Sequence, residues 1–337
     1  MMGFEEQGAL VISLDFELHW GVRDHCILDA AERKRLLAAR SVVPGILSAF
    51  RDHGVRATWA TVGLLFARSR EEAQECKPLR IPNYQQKEFD PYQESLGRDE
   101  SEDPFHFAPS LIRDVALVPG QEIGSHSYSH YYSLESGQTE EEFKADVASA
   151  KRIAENSGYR LRSYVFPRNQ VSVEYLPILR QAGFSAYRGT EQVASKAPVT
   201  FQKQRRPWMR ALRLVDSYWN LNGCQTVEFP YGEEPAPVDA SRYLRPFSPV
   251  LRSLENVRLE RIAAAMKMAA QSKRIFHLWW HPEDFAGYPE RNLDFLRRVL
   301  GVYEKCRKDF GMSSLCMGDV TYATKADANV LKFGAAQ

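Results

Sequence analysis

The chain is poor in devices that would stiffen it or anchor it elsewhere. Five cysteines, Cys26, Cys76, Cys224, Cys306 and Cys316, are scattered over 337 residues. Their odd number and the lack of any Cys-x2-Cys pair argue against a disulfide frame or a cysteine zinc site, so they read as reduced thiols. No apolar run reaches the roughly 18 residues that a membrane span needs. Neither sign of charge prevails, with 44 Lys and Arg against 43 Asp and Glu, and no field results that would gather nucleic acid or anionic lipid. A Gly-x-Gly-x-x-Gly turn is missing too, which removes the usual signature of a dinucleotide-binding sheet. The acidic start, Gly3-Phe4-Glu5-Glu6-Gln7, lacks the basic and apolar regions of a secretory signal and points to the cytoplasm.

What is present is an ordinary globular composition, 44% apolar and 26% charged, arranged as strands alternating with helices. Ala9 to Leu18, Val55 to Gly63, Gln121 to His126, Arg162 to Pro167, Phe184 to Arg188, Arg274 to His281 and Ser313 to Met317 read as strands. Helical periodicity fills Ala31 to His53, the stretch from Thr139 to Asn156, Glu174 to Ala182, Leu254 to Ser272 and Leu293 to Lys308. Thr139-x-x-Glu142 opens the second of these as a capping box, and Gly54 and Gly158 suit helix ends. Such alternation predicts a parallel sheet covered by helices and favours a barrel. One domain over residues 1–337 is expected, with a polar, charged insertion or lid at about 68–109.

The chemistry concentrates in Glu122-Ile123-Gly124-Ser125-His126-Ser127-Tyr128-Ser129-His130. Two imidazoles four residues apart share a side of the chain in extended or helical backbone and can grip one metal ion, although a His-x3-His pair alone also occurs in plain surface turns. With one carboxylate they leave a position for water, as a hydrolytic site requires. The first strand supplies candidates: Val11, Ser13, Asp15, Glu17 and His19 alternate onto one face and Ile12, Leu14, Phe16 and Leu18 onto the other. Two inward carboxylates are costly unless a cation or hydrogen bonds compensate. In Arg274 to His281 the same alternation joins Ile275, His277, Trp279 and His281. His281, just before Pro282, sits at the mouth and suits a proton donor, while Trp279 can limit water and offer a ring to a sugar. His277, one layer deeper, reads as a hydrogen-bonded core histidine. Trp20, Tyr128 and Trp280 are read as core packing before sugar platforms.

In their order, Ser13 to Glu17, Val55 to Trp59, Glu122 to His130, Tyr164 to Arg168 and His277 to His281 resemble the motifs of the polysaccharide deacetylases, carbohydrate esterase family four, over about residues 9 to 320. The resemblance implies a distorted (β/α)7 barrel, a divalent metal held by His126, His130 and a carboxylate of the first motif, an aspartate base and a late histidine acid, removing acetyl groups from N-acetylated sugars. Zinc comes first among the candidate ions. The family's adjacent aspartates are replaced here by Asp15-Phe16-Glu17; by the Asp-x-Asp form of some relatives, Asp15 is the base and Glu17 the ligand, with an exchange of roles left open. The third motif usually carries an arginine before its prolines, whereas Val165-Phe166-Pro167-Arg168 has one only afterwards. Arg168 is therefore expected to orient Asp15 or to bind substrate, and a backbone N–H beyond Pro167 to meet an oxyanion.

The expected activity is hydrolysis of an acylated amino sugar or glycan precursor. Lys203, Arg205, Arg206, Arg210 and Arg213 could meet a diphosphate on a nucleotide-linked or lipid-linked form, or could line a solvated helix face. An allantoinase-like opening of a cyclic amide or ureide and a glycan-binding barrel without catalysis are the rivals. Oligomeric state cannot be read from the sequence.

Overall fold

The computed structural model describes residues 7–191, 214–219, 223 and 225–321. The basic segment from Lys203 to Arg213 and Cys224 lie outside the described residues.

Among the described residues the strands of the sheet pair in parallel, and Val227 adds one antiparallel bridge to Ile275. Its strands are β1 (Ala9–Phe16), β2 (Ala57–Thr61), β3 (Gln121–Ser125), β4 (Ser163–Tyr164), β5 (Ala186–Tyr187), β6 (Ala236–Pro237), β7 (Arg242–Tyr243), β8 (Ile275–Trp280) and β9 (Ser313–Leu315). They run in the order β6-β5-β4-β3-β2-β1-β8-β7, with β9 also on β1. Both β9 and β2 use one edge of β1: β9 pairs with Ala9 to Val11 and β2 with Ser13 to Phe16. Curled, with helices outside, this sheet is a distorted (β/α)7 barrel. The seven strands expected from periodicity all form, several of them shorter. The two-residue β6 and β7 give too little pattern to be read in advance.

Helices α1 (Ala30–His53), α2 (Arg70–Glu75), α3 (Pro109–Leu117), α4 (Glu140–Asn156), α5 (Leu176–Gln181), α6 (Glu255–Gln271) and α7 (Pro289–Phe310) follow. Local chemistry sets their ends. The Asp29 carboxylate accepts from Glu32 N–H at the start of α1, and Gly54 closes it at φ 63°, a left-handed conformation that glycine adopts without steric cost. The Thr139/Glu142 capping box forms at α4.

Alternation along β1 divides two cores. Leu10, Ile12, Leu14 and Phe16 join the cluster under the helices, whereas Ala9 and Val11 join the barrel interior with Ile275 and Leu315. On β8, Phe276, Leu278 and Trp280 face the helices. Trp20, Tyr128 and Trp280 are fully buried, so the packing reading holds for all three. The 68–109 segment is more built than a surface loop: besides α2 it holds 3-10 turns, and its Tyr84 and Phe89 pack on Tyr132.

One expectation fails at the end of β1. The strand stops at Phe16, not Leu18; Glu17 leaves the extended region at φ −135°, ψ −18°, and Leu18 turns to φ 47°. Glu283 holds this kink, its Oε1 accepting from Leu18 N–H at 2.6 Å and Glu17 N–H at 3.3 Å. His19 therefore does not continue the inward row that Asp15 occupies.

Candidate active site

The loop after β3 carries both histidines of the central motif, and it is neither extended nor helical. Ser127 and His130 have φ of 62° and 58°. The buried Asp146 on α4 shapes the turn: its carboxylate accepts from Tyr128 N–H at 2.7 Å, Ser129 N–H at 3.2 Å and Ser129 Oγ at 2.5 Å. Burial pushes the Asp146 carboxyl up to about 6 against those bonds. Its signal was present in the sequence, since Asp146 interrupts the apolar stripe of Phe143, Val147 and Ala150, where an acid needs a partner.

The turn brings His126 and His130 to one carboxylate. Glu17 Oε2 lies 3.1 Å from His126 Nε2 and 3.0 Å from His130 Nε2, and the three groups are buried together. His126 Nδ1 lies 2.9 Å from the Val165 carbonyl, which can only accept, so a neutral ring there turns its Nε2 lone pair toward Glu17. A carboxylate oxygen and an imidazole lone pair at that separation repel unless a proton or a cation lies between them. Tetrahedral ligands at about 2.0–2.1 Å from zinc stand roughly 3.3 Å apart, close to these spacings, so the donor set fits a divalent ion. Burial lowers His130 to about 4, which keeps its ring neutral and able to ligate. Burial opposes the Glu17 charge, but His281 and His130 outweigh it and hold the carboxyl well below its usual range.

Asp15 is placed differently. It takes no part in the three-donor group and instead forms a double ion pair with Arg188, Nη1 to Oδ1 at 2.5 Å and Nη2 to Oδ2 at 2.6 Å. Arg188 also donates to Ser13 Oγ at 3.1 Å and Asn169 Oδ1 at 2.8 Å, and its guanidinium lies 4.4 Å from the centre of the Trp279 ring. Although burial raises the Asp15 pKa, Arg188 and then His126 bring it below the ordinary value.

The arginine that orients Asp15 is thus Arg188 and not Arg168. Arg168 instead binds Asp24, at 2.6 and 2.7 Å, and its guanidinium lies 5.4 Å from the Tyr132 ring centre. Arg188 directly follows the short strand β5, and a lone cation after an apolar strand was the available signal. Beyond Pro167, the amides of Asn169 and Gln170 are already given to the carbonyls of Phe166 and Pro167.

His281 stands on the other side of the carboxylates. Its Nε2 is 3.4 Å from Glu17 Oε1 and 3.8 Å from Asp15 Oδ2, while Nδ1 lies 3.0 Å from Asp284 Oδ2. Asp284 also accepts from Tyr243 Oη at 2.7 Å and from His281 N–H at 3.1 Å. Burial works against a charge on the imidazole, but Asp284 and then Glu17 favour it and push His281 up to about 10. Trp279 lies between the two layers, half-buried, its indole N–H donating to Glu191 at 3.2 Å. Glu283 completes the acidic surroundings; burial, then the neighbouring Glu17 charge, push it up to about 7. Neither Asp284 nor Glu283 had been given a role from the sequence.

Comparison with known proteins bears on the domain and the fold. Residues 29–187 match the family model for polysaccharide deacetylases. That match gives these residues a polysaccharide deacetylase domain. The chain's fold is shared with a Mycobacterium smegmatis protein classed as a polysaccharide deacetylase, at 14% identity and a TM-score of 0.58, covering 96% of this chain and 92% of that one. A Pseudomonas aeruginosa protein of the same class aligns at 11% identity and a TM-score of 0.51, over 94% and 89%. The allantoinase PuuE aligns at 12% identity and a TM-score of 0.52, also over 94% and 89%. At these identities the likeness speaks for the fold alone. A search of curated proteins gives no match. The domain match makes the chain a candidate for acyl removal from glycans, and no described helix is long and apolar enough to cross a membrane.

Proposed function

We propose that this protein is a metal-dependent hydrolase that removes an acyl group, acetyl first, from an N-acylated amino sugar or glycan precursor, with zinc as its ion. The convergence of Glu17, His126 and His130 beside Asp15 and His281 carries the reading. Bound by those three side chains, zinc supplies Lewis acidity toward an acyl oxygen and toward water.

The chain's own residues divide the proton work. Asp15, kept ionised and fixed by Arg188, acts as the base that takes the proton of the attacking water. His281 keeps one proton on Nδ1 toward Asp284 and turns Nε2 toward the carboxylates, the orientation from which it gives a proton to the departing nitrogen. Positioned acids and bases of this kind are worth about 10²–10⁴-fold each. Trp279 covers the Asp15–Arg188 pair and, with Arg168 at the border, is assigned to contact the sugar.

The test combines metal content with acetate release from a panel of N-acetyl sugars. Glu17→Gln should lose both metal and turnover, whereas Asp15→Asn should keep the metal and lose turnover. The opposite pattern exchanges the two roles, and full activity in metal-stripped protein refutes metal dependence.

A further inference from the structure

A second set of donors lies outside this site. His19, Glu94 and His106 each bring one ligand atom to within 4.8 Å of the others. His19 belongs to the turn after β1, while Glu94 and His106 come from the 68–109 segment. Both imidazoles are only 2% exposed, yet His19 Nδ1 and His106 Nε2 are buried without a hydrogen-bond partner. An unsatisfied buried polar group costs about 1–3 kcal/mol, and two in one cluster ask for a common partner.

The state of His106 indicates what that partner is. Its Nδ1 donates to the Asp103 carboxylate, at 3.0 and 2.8 Å from the two oxygens, leaving a lone pair on Nε2. A carboxylate behind one ring nitrogen is the usual way to orient a metal-binding histidine and strengthen it as a ligand. Glu94 Oε2 is 3.9 Å from His106 Nε2, too far for a hydrogen bond. Ligands of one zinc ion stand roughly 3.3 Å apart at bond lengths of about 2.0–2.1 Å, so a small inward movement closes this pair on an ion. The cluster is also braced: Trp20 Nε1 donates to the His106 carbonyl at 3.0 Å, and the His19 and His106 rings meet edge to face at 5.1 Å.

We propose that His19, Glu94 and His106 form a second divalent-cation site, of zinc type, that fastens the 68–109 segment to the end of β1. Two imidazoles and one carboxylate suit zinc better than magnesium or calcium, which prefer oxygen throughout. Neutral rings and the Glu94 charge leave one positive charge on such an ion, and Asp103 balances it. The site shares no residue with the Glu17 group, so each stands or falls alone.

The full-length chain, stripped of metal and dialysed against zinc, should bind two equivalents by elemental analysis. Glu94→Ala, at a partly exposed position, should bind one and keep the equivalent held through Glu17. His126→Ala/His130→Ala should also bind one, and combining it with Glu94→Ala should leave none. Asp103→Asn should weaken the second equivalent by about 10–100-fold. Zinc should slow proteolysis within residues 68–109 in the His126→Ala/His130→Ala protein and not in Glu94→Ala. One equivalent in the parent that survives Glu94→Ala overturns the proposal and leaves the first site intact. One equivalent that Glu94→Ala removes, with the double histidine variant unchanged, supports it and refutes the first site instead.

Discussion

His277 and His281 lie four residues apart on the same inward row of β8, and their surroundings drive them in opposite directions. His277 is deep: Nδ1 meets the Val238 and Asp239 carbonyls at 3.1 Å, and Nε2 accepts from Ser13 Oγ at 2.9 Å. Burial, then the nearby Arg188 charge, lowers it to about 3. His281, one layer up, has three carboxylates within 4 Å and is pushed up to about 10. Carbonyls and a hydroxyl satisfy a neutral ring, whereas carboxylates favour a charged one. Depth and partners suit one histidine to a structural part and the other to the proton donation proposed for it, although both are the same residue in the same strand.

Arg188 touches both environments, so its removal gives the largest expected effect. Arg188→Met leaves Asp15 buried without its partner, and loss of one side of such a pair costs about 3–5 kcal/mol, to be measured by denaturant unfolding. Turnover should fall as well because Asp15 loses its orientation. A loss below about 1 kcal/mol would mean that the pair is solvated and that the contrast between layers is overstated.

His281→Ala should keep its metal and slow release of a poor amine leaving group by about a hundredfold, while an activated aryl ester suffers much less. The ester departs without needing a proton, so the ratio isolates acid catalysis from damage to the pocket. Should His277→Ala show the amide-selective loss and His281→Ala not, the two roles are reversed.

The smallest effect is a slope. A histidine with an unfolded pKa near 6.5 and a folded value of about 3 takes up its proton only in the unfolded chain between those limits. Stability from His277 is therefore present above about pH 6.5 and is lost as pH falls toward 3, at up to about 1.4 kcal/mol per pH unit. Urea unfolding of the parent and of His277→Gln across this window should show the parent losing stability more steeply. Equal slopes would show that His277 is not held neutral.

How much of this was legible follows from the range of each interaction. The inward row of β1 and β8, the capping box of α4 and the seven main strands are written in residues two to four apart, and all could be read directly. The Asp-x-Glu spacing also put both carboxylates among the candidates. Strand alternation did not reveal that the chain kinks at Glu17 and Leu18, because that turn depends on Glu283, some 265 residues away. Arg168 was the nearer arginine in motif order, but Arg188 reaches Asp15 from a different strand.

The sequence by itself determined which residues could carry the chemistry and which faces of the strands they occupied, since periods of 2 and 3.6 are properties of the local backbone. Only the tertiary structure decided the partnerships: Glu17 with His126 and His130, Asp15 with Arg188, His281 with Asp284, and His19 with Glu94 and His106. Most of these pairings join segments far apart in the chain, where no local periodicity reaches. They exist because parallel strands bring the ends of β1, β3, β5 and β8 to one rim, and because burying charge there is tolerable only when each group finds its complement.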